Sequence, residues 1–204
     1  MNLSVYFVTP ERAEQPLAEL VLAAVRGGAG VVQLRDKTAT DAEMVRVARD
    51  LRALLVPLGV PLIINDRVEV MLASGADGLH VGQGDAPVEE MRRLIGGRIL
   101  GLSIETLAQV QAMPDAVVDY IGVGPIYATA TKPDAAAPLG MRGLAEIVRA
   151  ARVPVVAIGG IGLADVAPVR ETGAAGLAVV SAIAAAADPE RATRDLVAAW
   201  EGAA

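Results

Sequence analysis

Apolar and polar positions along this chain repeat one unit: a short β-branched run, a polar or glycine-rich loop, then a stretch with helical periodicity. A short continuous apolar run bounded by turn residues reads as a buried strand, and the 3.6-residue period reads as an amphipathic helix. The series opens with a strand over Leu3–Val8 and a helix from about Gln15 to Arg26, stopped by Gly27-Gly28. A second strand, Val31–Leu34, runs out into Arg35-Asp36-Lys37. Thr40 and Glu43 then have capping-box spacing. The helix they open buries Met44, Val47, Ala48, Leu51 and Leu55 and turns Arg46, Arg49 and Arg52 to water.

Pro61–Ile64 and Gly78–Val81 are the third and fourth strands, joined by a helix, with Asn65-Asp66 and Gly82-Gln83-Gly84-Asp85 where they stop. A helix over about Val88–Ile95 leads to a fifth strand, Arg98–Leu102, then to Ser103 and a helix over Glu105–Ala112. The sixth strand, Asp119–Val123, empties into a long loop, Gly124–Gly143, of the kind that is usually functional in a compact domain. A helix over about Leu144–Ala151, a strand over Pro154–Ile158 and a helix over about Ala164–Thr172 follow. Gly176–Val180 is the eighth strand and ends at Ser181. Asp188 as N-cap and Pro189 in the first helical position open the last helix, which packs Leu196, Val197 and Trp200.

Eight strands alternating with eight helices, with no linker or break in composition, predict a single (β/α)8 barrel domain over residues 1–204. A doubly wound sheet competes, but it would normally carry GxGxxG after the first strand. That motif is absent there, and GxxxxGK[ST] is absent throughout.

Composition narrows the function. The 204 residues are 53% hydrophobic and 21% charged, a globular balance without a disordered tail. The net charge of −6 offers no basic face for phosphate neutralisation, so no nucleic-acid partner is expected. The lack of cysteine excludes disulfides, thiolate zinc sites and a cysteine nucleophile. The first residues, MNLSVYFVTPERAEQ, do not read as a signal peptide, and the longest uncharged run, Thr172–Ala187, is too short to span a bilayer. A cytoplasmic protein with no membrane partner is expected.

In a barrel the active site lies at the C-terminal ends of the strands. Arg35, Lys37, Asn65, Asp66, Asp85, Ser103, Thr129, Thr131, Lys132, Gly159, Gly160 and Ser181 all fall there. Asp66 and Asp85 end neighbouring strands, and two converging carboxylates suit Mg2+ better than Zn2+. Asp is equally at home as a helix N-cap, and the stretch alone leaves both readings open. The chain has 16 arginines but only two lysines, Lys37 and Lys132, both in loops after strands. That bias points to places that demand a compact ammonium, with codon preference as the plain alternative.

The loops after strands seven and eight often bind phosphate in barrels, and Gly160 with Val180-Ser181 fits that use. Asp66, Asp85, a metal, Lys37 and Lys132 form a second anionic site suited to a diphosphate. His80 alternates with Leu79 and Val81 inside a strand and reads as a satisfied core histidine. With one histidine and no cysteine, nucleophilic triads are excluded, so the chemistry is expected to be metal-electrostatic.

The motifs QLRDK (Gln33–Lys37), IIND (Ile63–Asp66), GLHVGQGD (Gly78–Asp85), GPIYATATK (Gly124–Lys132), AIGGI (Ala157–Ile161) and VVSAI (Val179–Ile183) occur in this order. Together they give a chain that resembles the thiamine-phosphate synthase family over nearly its whole length. The resemblance implies that Gln33, Leu34, Arg35, Asp36, Lys37, Asn65, Ser103 and Lys132 hold an aminopyrimidine diphosphate. It implies Mg2+ on Asp66 and Asp85, and thiazole phosphate on Thr129, Ala130, Thr131, Gly160, Val180 and Ser181. In the family diphosphate leaves first, and the thiazole nitrogen captures the resulting pyrimidine-methyl cation. Lys132, Arg35, Lys37 and Ser103 are then the catalytic candidates.

The chain departs from the family pattern at Asp36, where glutamate is commoner, and at Tyr127, where phenylalanine is. Its opening VYFVTP differs from the usual LYLVTD, and Glu105 stands where histidine is common. A sister group that only tautomerises the thiazole phosphate lacks the two aspartates and uses a histidine at the place of Glu105, the opposite of this chain on both counts. A non-catalytic barrel binding phosphorylated ligands is the alternative from another class; Asp66, Asp85 and both lysines speak against it. A sugar-phosphate isomerase would need a base, and only a carboxylate is at hand.

Overall fold

The structure, a computed structural model, describes residues 1–128 and 137–202. Eight parallel strands close into a barrel in sequence order: β1 (Val5–Val8), β2 (Val31–Leu34), β3 (Leu62–Asn65), β4 (Gly78–Val81), β5 (Ile99–Ile104), β6 (Tyr120–Val123), β7 (Val155–Ile158) and β8 (Gly176–Val179). Among the described residues the helices are α1 (Leu17–Arg26), α2 (Asp41–Leu55), α3 (Val68–Ser74), α4 (Val88–Ile95), α5 (Leu107–Ala112), α6 (Gly140–Ala150), α7 (Val166–Glu171), α8 (Ser181–Ala184) and α9 (Pro189–Glu201). None of them is long and apolar enough to cross a membrane.

The core has two compartments because successive strand residues face opposite ways. One set, including Phe7, Val32, Ile64, Leu79, Leu102 and Ile121, packs outward against the helices. The other set (Tyr6, Val8, Val31, Ile63, Tyr120, Val156 and Ala178) fills the barrel interior. Both faces of the strands are therefore buried, which explains their continuous apolar runs.

Element boundaries shift where local chemistry dictates. The first helix begins at Leu17, not Gln15, because the residue before Pro16 is disfavoured in helical conformation. The expected helix over Ala164–Thr172 divides into a 3-10 turn, Leu163–Asp165, and α7. Pro168 has no N–H to return to the turn before it, so a continuous α ladder cannot run through. The fifth strand continues through Ser103 to Ile104 and the next helix starts only at Leu107, where Thr106 and Gln109 make a capping box. Ser103 is thus a strand residue in register with Gly122. The sixth helix starts earlier than expected, at Gly140. The eighth strand stops at Val179, and Ser181 begins the separate helical turn α8. Thr40 and Glu43 form the expected capping box, with the Thr40 N–H donating to Glu43 at 2.8 Å. Arg52 is half-buried, and among the described residues its Nε has no hydrogen-bond partner, where the helical pattern placed it in water.

Candidate active site

A cavity of about 450 Å3 opens at the C-terminal ends of the strands. The period-two alternation decides which residues of each motif reach it. Gln33, Arg35 and Lys37 line it, whereas Leu34 packs into the outer core. The Asp36 carboxylate turns back on its own loop, accepting from the Thr38 N–H at 2.8 Å and the Ala39 N–H at 3.0 Å. Leu34 and Asp36, expected with the substrate-binding set, therefore do not bring their side chains to the cavity. Arg35 pairs with Glu11 from the loop after β1 at 2.8 Å.

Asn65, Asp66 and Asp85 meet at the rim. Neither carboxylate caps a helix: the N-cap of α3 is Arg67 and that of α4 is Pro87. Asp66 has φ of 63°, a left-handed backbone that costs a non-glycine residue about 1–3 kcal/mol. Its N–H donates to the His80 carbonyl at 2.8 Å, which ties the end of β3 to β4. Asp85 accepts from the Gly82 N–H at 2.6 Å and so closes its own turn.

Burial, then the charge of Asp85, pushes the Asp66 carboxyl up to about 6, while Lys37 and Asn65 work the other way. The cost of charging Asp66 beside Asp85 would be relieved by a cation. Among the described residues no three His, Asp or Glu side chains are grouped so that they could hold a metal ion. A two-carboxylate oxygen set does not complete a tetrahedral zinc site, but it fits Mg2+, which keeps waters and takes its remaining ligands from phosphate.

The floor is a chain of hydrogen bonds. Gln33 Nε2 donates to the Tyr6 hydroxyl at 2.8 Å, and the Tyr6 and Tyr120 hydroxyls are 2.8 Å apart. Tyr120 meets His80 Nδ1 at 2.9 Å, and His80 Nε2 meets Ser103 Oγ at 2.9 Å. Register explains the contact: His80 and Tyr120 both lie opposite Gly101. A Cβ on Gly101 would strike both the Tyr120 ring and His80 Nδ1, so the glycine lets the rings meet across β5. His80 is thus the satisfied, buried histidine the sequence suggests, yet it also lines the cavity. Burial pushes its pKa down to about 4, so the ring is neutral near pH 7.

Gly160, Val180 and Ser181 line the opposite side. Gly160 has φ of 68°, and a Cβ there would lie 2.8 Å from Tyr127 Cβ. The backbone of the loop after β6 is pinned alongside, with the Tyr127 N–H donating to the Gly159 carbonyl at 3.0 Å. The first turn of a helix leaves N–H groups without intrahelical partners, and α8 begins here. Thr129, Ala130, Thr131 and Lys132 lie outside the described residues.

Several contributors escaped the sequence reading. Tyr6 and Tyr120 looked like ordinary apolar strand positions, and only strand register shows that they share a level with His80. Glu11 and Gln83 carried no motif-independent signal; Gln83 Nε2 donates to the Ser103 carbonyl at 2.7 Å.

With this geometry in view, likeness to known proteins becomes informative. Residues 5–183 match the model of a family described as thiamine monophosphate synthase. The chain belongs to the thiamine monophosphate synthase family. A thiamine-phosphate synthase from a Roseiflexus species is 51% identical over 94% of this chain and 83% of its own length. One from Chloroflexus aurantiacus is 53% identical over 87% of this chain and 82% of its own. Among solved structures, the thiamine phosphate pyrophosphorylase of Pyrococcus furiosus superposes with a TM-score of 0.91 at 34% identity, covering 98% of this chain and 96% of that one. These relatives are named as thiamine-phosphate synthases, transferases of thiamine biosynthesis, and this chain is an enzyme of that kind.

Proposed function

We propose that this chain joins an aminopyrimidine-methyl diphosphate to a thiazole phosphate, giving thiamine phosphate and diphosphate. The observation that carries the reading is convergence on one cavity of two cations, Arg35 and Lys37, two carboxylates, Asp66 and Asp85, and the backbone at Gly160 and Ser181. Two anionic groups can be held there on opposite sides of a floor made of Gln33, Tyr6, Tyr120, His80 and Ser103.

Gln33, Asn65 and Ser103 hold the pyrimidine end, and Arg35 and Lys37 hold the diphosphate. Lys132 joins them by resemblance. The C–O bond to the pyrimidine methylene breaks, and its electron pair leaves with the diphosphate. The thiazole nitrogen, oriented through its phosphate by Gly160, Val180 and Ser181, then donates its lone pair to that carbon. Thr129 to Thr131 complete this phosphate site in the same reading. Asp66 and Asp85 would hold Mg2+, which when bound would supply positive charge to offset that of the diphosphate. No protein nucleophile is needed, and holding both substrates side by side supplies the orientation. The setting proposed is the cytoplasm.

The test is an assay of purified protein with both substrates, following thiamine phosphate and diphosphate, with Mg2+ and then with EDTA. Equal amounts of both products, lost on chelation, are expected. Binding of thiazole phosphate without product would overturn the reading in favour of a ligand-binding barrel.

A further inference from the structure

The hydrogen bonds along the cavity floor allow a proton count. Gln33 offers Nε2 to Tyr6, so the Tyr6 oxygen is an acceptor on that side. Its own proton is within hydrogen-bond reach of the Tyr120 hydroxyl. The Tyr120 proton is then available to His80 Nδ1. A neutral imidazole carries one proton, and with Nδ1 accepting, that proton sits on Nε2 and is donated to Ser103 Oγ. With the Gln33 amide oriented this way, the links form one directional chain from Gln33 to Ser103. Both tyrosine hydroxyls are raised in pKa chiefly by burial, so each keeps the proton that the count assigns to it.

We propose that Gln33, Tyr6, Tyr120 and His80 form a one-way hydrogen-bond relay that fixes His80 as its Nε2–H tautomer and turns the Ser103 hydroxyl proton into the cavity. Ser103 Oγ already accepts from His80, and among the described residues its own proton has no protein acceptor. It is therefore a donor for a ligand atom with an exposed lone pair, such as an aromatic ring nitrogen. Gln33 Oε1, which the relay does not use, is an acceptor on the same floor. The relay selects a heteroaromatic ligand with an acceptor edge towards Ser103 and a donor edge towards Gln33. Tyr6 and Tyr120 are positioning residues here, acting through His80. This selectivity rests on the proposed function, whereas the tautomer is a property of the free protein.

The chain has one histidine, so nitrogen NMR of histidine-labelled protein reports His80 without overlap. In the absence of any substrate the expected spectrum shows protonated Nε2 and unprotonated Nδ1 at pH 7. Protonated Nδ1, or a rapidly exchanging mixture, would overturn the relay. In Tyr6→Phe the chain is cut one link away from the ring, and the Nδ1–H form is expected to appear beside the Nε2–H form. If a folded Tyr6→Phe protein keeps a pure Nε2–H form, the direction is set locally at Tyr120 and the relay from Gln33 is overturned. The wild-type spectrum decides the tautomer even if that variant does not fold. Failure of the tautomer leaves the synthesis reading standing, and failure of synthesis leaves the tautomer result intact.

Discussion

Arg67 Nη2 donates to the backbone carbonyl of Asp36 at 3.0 Å. The same guanidinium reaches the Ala39 carbonyl at 2.6 Å and Asp41 at 3.0 Å. Arg67 follows Asp66 directly, so one side chain fastens the loop that carries Lys37 to the loop that carries Asp66. A rigid planar fork reaches these acceptors from two separate nitrogens in fixed directions, whereas a lysine would have to reach all of them from one nitrogen.

Replacing Arg67 by Ala should therefore loosen the placement of Lys37 against Asp66. Leaving two partly buried carbonyls without their donor costs about 1–3 kcal/mol, readable as a lower urea midpoint. Affinity for diphosphate should fall in the same variant, and Arg67→Lys should recover only part of either loss. An unchanged urea midpoint for Arg67→Ala would show that the loop holds itself, through Asp36 and the Thr40–Glu43 box.

Gly160→Ala tests the opposite wall. The left-handed backbone costs an L-residue about 1–2 kcal/mol, and the new Cβ would crowd Tyr127 Cβ at 2.8 Å and the Ala128 carbonyl at 3.0 Å. Weaker binding of thiazole phosphate by calorimetry is expected, with binding of the pyrimidine diphosphate changed less. Gly97 has open space around it and no left-handed φ, so Gly97→Ala should leave both affinities as they are.

Gly101→Ala should disturb the floor itself. Its Cβ has nowhere to go between the Tyr120 ring and His80 Nδ1, and overpacking of this kind costs about 1–3 kcal/mol. A shifted His80 NMR signal together with a lower melting temperature is expected. A melting loss without any change at His80 would place the strain elsewhere in β5.

The barrel was legible because buried parallel strands and amphipathic helices have different periods, and Asp66 and Asp85 were legible because both stand where such strands stop. The motif Gln33–Lys37 was read as a block, although its period of two already separates Gln33, Arg35 and Lys37 from Leu34 and Asp36. The Tyr6–Tyr120–His80 contact was not legible. It depends on the register of β4, β5 and β6 and on the missing side chain of Gly101, and register is set by the closed barrel rather than by neighbours in sequence. Arg67 was likewise hidden, since its three acceptors lie in the loop after β2 and at the start of α2, which meet it only in three dimensions.

The Asp66–Asp85 pair gives the sharpest prediction. Burial and the neighbouring carboxylate raise Asp66 from 3.8 to about 6. For an acid raised on folding, the native state binds more protons than the unfolded state between those two values, so stability falls as pH rises through that window. Metal-free protein should thus be more stable near pH 4 than near pH 7 as far as this group is concerned. Asp66→Asn, which cannot ionise, should melt higher than the wild type at pH 7 and lose that part of the pH slope. Added Mg2+ should raise the wild-type melting temperature at pH 7, because a ligand of the native state stabilises it by mass action, and should leave Asp66→Asn unmoved. A lower melting temperature for Asp66→Asn in metal-free buffer would mean that the carboxylate stabilises the turn, and that its charge is not being held there at a cost for a cation.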